Sequence, residues 1–147
     1  MGTPEYIAPE QALGQATDGR SDLYALGCVG FWLLTGKVLF ERTNTLMLLL
    51  AHIQDTPPDL KPFVPGPLPE GLERILRACL AKAREDRPQT ARELLAQLRA
   101  IEVPPEQAWS EEAAHSWWEK HHPVALTRPV SVNAPAPREL SVLHSAE

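Results

Sequence analysis

Apolar positions crowd together from Leu23 to Leu34, about a dozen residues broken only by glycines. The run falls well short of the roughly 20 residues needed to cross a bilayer, so it is expected to be a buried helix of a soluble body. Its apolar surface goes almost all the way round and demands neighbours on several sides. Ser21 or Asp22 is placed to cap its start, and Gly36 to stop it after Thr35. Thr43 or Asn44 then opens a short helix through Ile53, closed by Asp55-Thr56-Pro57-Pro58, and a proline-rich loop follows to Pro69. Leu72, Ile75, Leu76, Cys79 and Leu80 recur at i, i+3, i+4, i+7 and i+8, one stripe of an amphipathic helix. Thr90-Ala91-Arg92-Glu93 has the form of a capping box ahead of Leu94, Leu95, Leu98 and Ile101, and Pro104-Pro105 ends the compact region. Ser110 opens a last short helix, with Glu111 and Glu112 in its first turn and Ala114, Trp117 and Trp118 on one side. No strand ladder emerges, and the fold class is mainly α.

At 147 residues and 44% apolar composition the chain can build one core. A formal charge of -5 argues against a protein that neutralises nucleic-acid phosphates or an anionic membrane surface. No basic stretch followed by an apolar one opens the chain, so a cytoplasmic location is the default expectation. Cys28 and Cys79 lie in separate apolar segments without a C-x-x-C partner and read as small reduced core residues. From Pro123 to Glu147 the composition turns to Pro, Ser, Val and Ala with no helical period, and a flexible tail is expected.

Isolated candidates for chemistry are weak. Gly36-Lys37-Val38 has Val38 where a phosphate-binding loop needs Ser or Thr, and Phe31 where its first glycine belongs, so a helix C-cap is the better reading. His115, His121 and His122 gather in the last helix without a cysteine or a second acidic ligand at a metal-site spacing. His52 lies in an amphipathic segment and is assigned to packing or surface. Trp117 and Trp118 are expected to anchor their helix to the rest of the chain.

Gly2-Thr3-Pro4-Glu5-Tyr6-Ile7-Ala8-Pro9-Glu10-Gln11 is different. It resembles the end of the activation segment of bacterial-type serine/threonine protein kinases, where such a stretch closes the substrate-docking loop. Arg20-Ser21-Asp22-Leu23-Tyr24-Ala25-Leu26-Gly27 is similar to the start of that family's central large-lobe helix, and Leu34-Thr35-Gly36 to its end. Leu80-Ala81-Lys82-Ala83-Arg84-Glu85-Asp86-Arg87-Pro88 is similar to the arginine-bearing segment before the last helix of the lobe. Three landmarks in the family's order cover residues 2 to 101.

The resemblance implies roles residue by residue. Glu10 and Arg87 would form a buried ion pair clamping the docking loop to the helical lobe, a task that suits the planar guanidinium fork. Asp22 would support the catalytic loop besides capping its own helix. Thr3 would sit beside the catalytic aspartate, and Pro4, Tyr6 and Ile7 would line the pocket next to the phosphorylated residue. Residues 1–103 would then be the C-terminal half of a kinase large lobe, an incomplete domain, followed by a linker and Trp-bearing helix at 104–122 and the tail at 123–147.

The parts that transfer phosphate in that family are a glycine-rich loop, a strand lysine, a catalytic-loop aspartate and asparagine, and a D-F-G aspartate on magnesium. None of them occurs in this sequence. No catalytic, cofactor-binding or metal residue is therefore assigned to the chain, and ATP and magnesium are implied only for a complete domain. Its partners would be the missing N-terminal half and a protein substrate, with no nucleic acid and no membrane segment. A chain that begins inside a motif suggests a misassigned start, a split gene or a fragment. The alternative function is a non-catalytic helical module that binds a kinase or its substrate.

Overall fold

A computed structural model describes residues 4–64, 66–105 and 108–121. Thr3 and His122 lie outside the described residues, as does the expected tail from Pro123 to Glu147. The order is a 3-10 turn at Pro4–Tyr6, then α1 (Pro9–Ala12), α2 (Gly19–Thr35), α3 (Thr45–Gln54) and α4 (Leu72–Cys79). A second 3-10 turn at Arg84–Asp86, α5 (Ala91–Arg99) and α6 (Glu111–His121) follow. No strand occurs among the described residues. The chain divides into two units, residues 1–106 and 107–147.

The opening loop expected around Glu10 contains α1, with Pro9 at its first position, where a missing N–H costs nothing. Gln11 Oε1 accepts the Ala8 N–H at 2.9 Å. α2 starts earlier than expected. Its cap is Asp18, whose carboxylate accepts from Arg20 N at 2.9 Å. Ser21 and Asp22 are therefore first-turn residues, and the cap assigned to Asp22 belongs to Asp18. At the other end Gly36 takes the left-handed conformation, φ 68, that a side chain resists, and its N–H closes onto Trp32 O at 2.7 Å.

α2 is the axis of the first unit. Its Tyr24, Cys28 and Phe31 face a core closed by Leu39, Phe40, Leu48, Ala51 and Leu60. Burying a side chain such as Phe31, 3% exposed, is worth about 1.5–3 kcal/mol. A second side of α2 meets α4 so closely that a Cβ on Gly27 would stand 2.9 Å from Cys79 Cβ. Leu23, Ile75, Cys79 and Leu94 fill that interface. The third side is open, with Leu26 49% and Leu33 69% exposed. Among the described residues the all-round apolar helix is thus partnered on two sides.

Asn44 caps α3 through bonds from Leu46 N and Met47 N. Thr90 Oγ1 accepts from Glu93 N at 3.1 Å, while the Glu93 carboxylate reaches one residue further out than a capping box requires, to Gln89 N at 2.7 Å. Of the apolar stripe on α5, Leu94 is buried and Leu95 and Leu98 are exposed. In the second unit, Ser110 Oγ accepts from Ala113 N at 3.1 Å, and Trp117 stacks on His121 at 4.4 Å. No helix among the described residues is long and apolar enough to cross a membrane.

Candidate functional site

The Pro4–Tyr6 turn and α1 bring Glu10 against α2, and the segment after α4 carries Arg87 back to the same place. Arg87 Nη1 and Nη2 donate to Glu10 Oε1 and Oε2 at 2.8 and 2.9 Å, with side chains 0% and 3% exposed. The remaining donors of the fork are also used: Nε to Ala81 O at 2.8 Å, Nη1 to Arg20 O at 3.1 Å and Nη2 to Lys82 O at 2.9 Å. All five guanidinium N–H groups are satisfied, which is what a buried arginine requires. Arg87 Cζ lies over the Tyr24 ring, 5.0 Å from its centre.

Ser21 adds a bond that local sequence does not announce. Its hydroxyl donates to Glu10 Oε1 at 2.6 Å, and the earlier start of α2 is what frees it to do so. Burial alone would raise the Glu10 carboxyl, but the bonds from Arg87 and Ser21 and the charge of Arg87 together hold it at about 2. Glu10 is therefore a fixed anion, committed to a structural contact and unsuited to proton transfer.

A second cluster joins α2, α3 and the chain after α4. Tyr24 OH and His52 Nδ1 are 3.0 Å apart, and the His52 ring stands edge-on to Phe40 at 5.1 Å. Lys82 Nζ caps the end of α3, donating to His52 O at 2.8 Å and Ala51 O at 3.3 Å, and lies over the Phe40 ring at 4.9 Å. Burial, helped by the Lys82 charge, pushes His52 down to about 4. Burial likewise lowers Lys82, to about 8. Assigning His52 to packing or surface missed this cluster, because its partners come from elements far away in sequence.

Pro4, Glu5, Tyr6 and Ile7 are half-buried, and Tyr6 packs against the main core. Asp22 is exposed on the first turn of α2. Leu26, Leu33, Leu34, Leu72, Ile75 and Leu98 border an apolar groove of about 240 Å³ between α2, α4 and α5. At this point the Glu10 carboxylate is engaged by Arg87 and Ser21 and every Arg87 N–H is taken by Glu10 or a backbone carbonyl, which leaves the fork with no donor to offer a phosphate. Among the described residues no cluster of histidine, cysteine and acidic side chains could hold a metal ion.

Comparison with known proteins places these contacts in a family. Residues 1–98 match the family described as protein kinase domain. The chain is 45% identical over 87 residues to the serine/threonine-protein kinase Pkn1 of Myxococcus xanthus, covering 59% of this chain and 12% of that protein. It is 38% identical over 101 residues to the probable serine/threonine-protein kinase PknB of Corynebacterium glutamicum, covering 67% and 16%. It is also 38% identical over 112 residues to the serine/threonine-protein kinase PknB of Mycobacterium tuberculosis, covering 72% and 17%. The chain thus spans less than a fifth of the length of these relatives. With its helical body built around a buried Glu10–Arg87 fork, the chain belongs to the protein kinase domain family, as a bacterial-type serine/threonine kinase segment from the C-terminal helical part of the domain.

Proposed function

We propose that the chain supplies the substrate-docking loop and the helical scaffold of a cytoplasmic serine/threonine kinase that transfers phosphate from ATP with magnesium to a protein hydroxyl. The observation that carries this reading is the fork from Arg87 to Glu10, which fastens the Pro4–Ile7 segment to the helical body. In this role Thr3 lies beside the catalytic aspartate, Pro4, Tyr6 and Ile7 border the residue to be phosphorylated, and Asp22 supports the catalytic loop. An exposed Asp22 has its carboxylate available for backbone N–H groups of that loop. ATP and magnesium are held by the N-terminal half of the domain, since this sequence has none of the family's residues for them. The open apolar side of α2 is where that half packs.

The test compares the 147-residue chain alone with the chain joined to the N-terminal half of the Myxococcus Pkn1 kinase domain. The chain alone should give no calorimetric signal with magnesium-ATP and transfer no phosphate to Ser/Thr peptides, whereas the joined protein should do both. A signal from the isolated chain that EDTA abolishes would overturn the assignment. A joined protein that binds a kinase substrate without phosphorylating it would favour the alternative, a non-catalytic helical module.

A further inference from the structure

Lys82 differs from the other lysines of the chain. Lys37, Lys61 and Lys120 are exposed, whereas Lys82 is half-buried and takes its bonds from the end of a helix. Its Nζ donates to His52 O at 2.8 Å and to Ala51 O at 3.3 Å in the last turn of α3, and stands 4.9 Å from the centre of the Phe40 ring. Lys82 also lines a cavity of about 260 Å³ with Gln54, Asp55, Thr56, Pro57 and Arg77. That volume is several times the share of one water in the liquid, enough for a small organic molecule.

Two carbonyls use two N–H bonds, the full complement of a neutral amine and one fewer than an ammonium carries. Burial is the main influence on the proton of Lys82; Cys28 and Asp55 oppose it, the Arg87 charge adds to it, and the amine is lowered to about 8. Tyr24 and His52, the other titratable neighbours, are neutral near that pH. About half of the molecules then hold an unprotonated nitrogen at pH 8, against less than about 1% for an ordinary lysine. With both N–H bonds committed to α3, the lone pair is left for chemistry.

Arg77 shares the cavity. Its Nε and Nη2 are taken by Glu73 and Asp59, while Nη1 donates to none of the described residues. Asp55, the carboxylate among the lining residues, is held by Arg42 at 2.7 Å. A nucleophilic nitrogen and an available guanidinium edge therefore border one space, and a small acyl phosphate is the electrophile that uses both.

We propose that Lys82 is an acylation site, its Nζ taking the acyl group of a small acyl phosphate whose phosphate is received by Arg77. The lone pair attacks the acyl carbon, the C–O bond to phosphate breaks, inorganic phosphate leaves with the electron pair, and the surplus amine proton passes to water. The acylated nitrogen keeps one N–H and serves only one of its two carbonyls, which loosens the tie between α3 and the chain that carries Arg87. This inference stands apart from the kinase reading.

The 147-residue chain and the joined protein, each treated with acetyl phosphate at about pH 7.5, provide the test, with acetylation at every lysine followed by peptide mass spectrometry. Lys82 should react about tenfold faster than Lys37, Lys61 or Lys120, because its larger neutral fraction outweighs its lower basicity. In urea that unfolds the protein the four rates should converge. Arg77→Gln should slow the reaction of Lys82 with acetyl phosphate by about fivefold, the size of one hydrogen bond, and leave its reaction with the uncharged donor p-nitrophenyl acetate unchanged. A Lys82 no faster than the exposed lysines in both preparations, or one that keeps its lead in urea, would overturn the site. An Arg77→Gln variant that slows both donors alike, or neither, would overturn the part given to Arg77.

Discussion

Arg87 and Glu10, separated by 77 positions, meet as a two-pronged fork at 2.8 and 2.9 Å in the interior of the first unit. The guanidinium also holds the carbonyls of Arg20, Ala81 and Lys82, so one side chain ties together α1, the first turn of α2 and the chain after α4. Removing either partner strands a buried charge. Glu10→Ala and Arg87→Ala should each destabilise the joined protein by about 3–5 kcal/mol in urea denaturation, and the double variant should cost clearly less than the two singles combined. Additive losses would mean that the two charges act independently.

The same fork sets an acid limit. Glu10 has its folded pKa at about 2 against an ordinary value of 4.5, so its contribution is fully present above pH 4.5 and disappears as pH falls towards 2. His52 acts in an adjoining window. Its folded pKa of about 4 lies below the free value of 6.5, so the unfolded chain binds the extra proton first and stability declines as pH falls from 6.5 to 4. Each window is worth on the order of 3 kcal/mol. Urea midpoints measured from pH 7 to pH 3 should fall across both windows, and His52→Gln should flatten only the upper one. An unchanged slope between pH 6.5 and 4 in that variant would assign the loss to other groups.

Much of the helical frame was legible because its signals are local. The stripe from Leu72 to Leu80, the Asn44 and Thr90 caps and the Gly36 stop each depend on residues within a turn or two of one another. The start of α2 was not, since Gly19 is a poor helix former and Ser21 looks like a cap, whereas its hydroxyl is drawn to Glu10. α1 was hidden for a related reason: four residues that begin with Pro9 and stop just before Leu13-Gly14 read as loop. At the site, Glu10 and Arg87 were singled out by their motifs. Tyr24, His52 and Lys82 were not grouped, because only the tertiary fold brings three separate segments to one point. Leu95 and Leu98 show the converse, a correct helical period whose apolar face is left exposed among the described residues.

The approach of α2 to α4 gives a paired prediction. Gly27→Ala places a methyl 2.9 Å from Cys79 Cβ and 3.1 Å from the Leu80 side chain, forcing two helices apart. It should destabilise the joined protein by about 1–3 kcal/mol. Gly19→Ala adds its methyl at the start of the same helix with nothing within 4 Å, and should be neutral or stabilising by up to about 1 kcal/mol. Thermal melts of the two variants side by side check this. A tolerated Gly27→Ala would show that the helices have room to separate.

The open side of α2 yields opposite effects in two settings. Leu33 is 69% exposed and borders the apolar groove beside Leu26 and Leu98. In the isolated chain a charge at this exposed position breaks up an apolar patch that favours association. Leu33→Lys should therefore lower the aggregation of the chain alone, read by light scattering. In the joined protein the N-terminal half is proposed to cover this face, and the same lysine would be buried without a partner. A loss of about 3 kcal/mol is then expected, with phosphate transfer reduced in proportion to the unfolded fraction. A joined protein that tolerates Leu33→Lys would place the N-terminal half elsewhere and leave the groove uncovered.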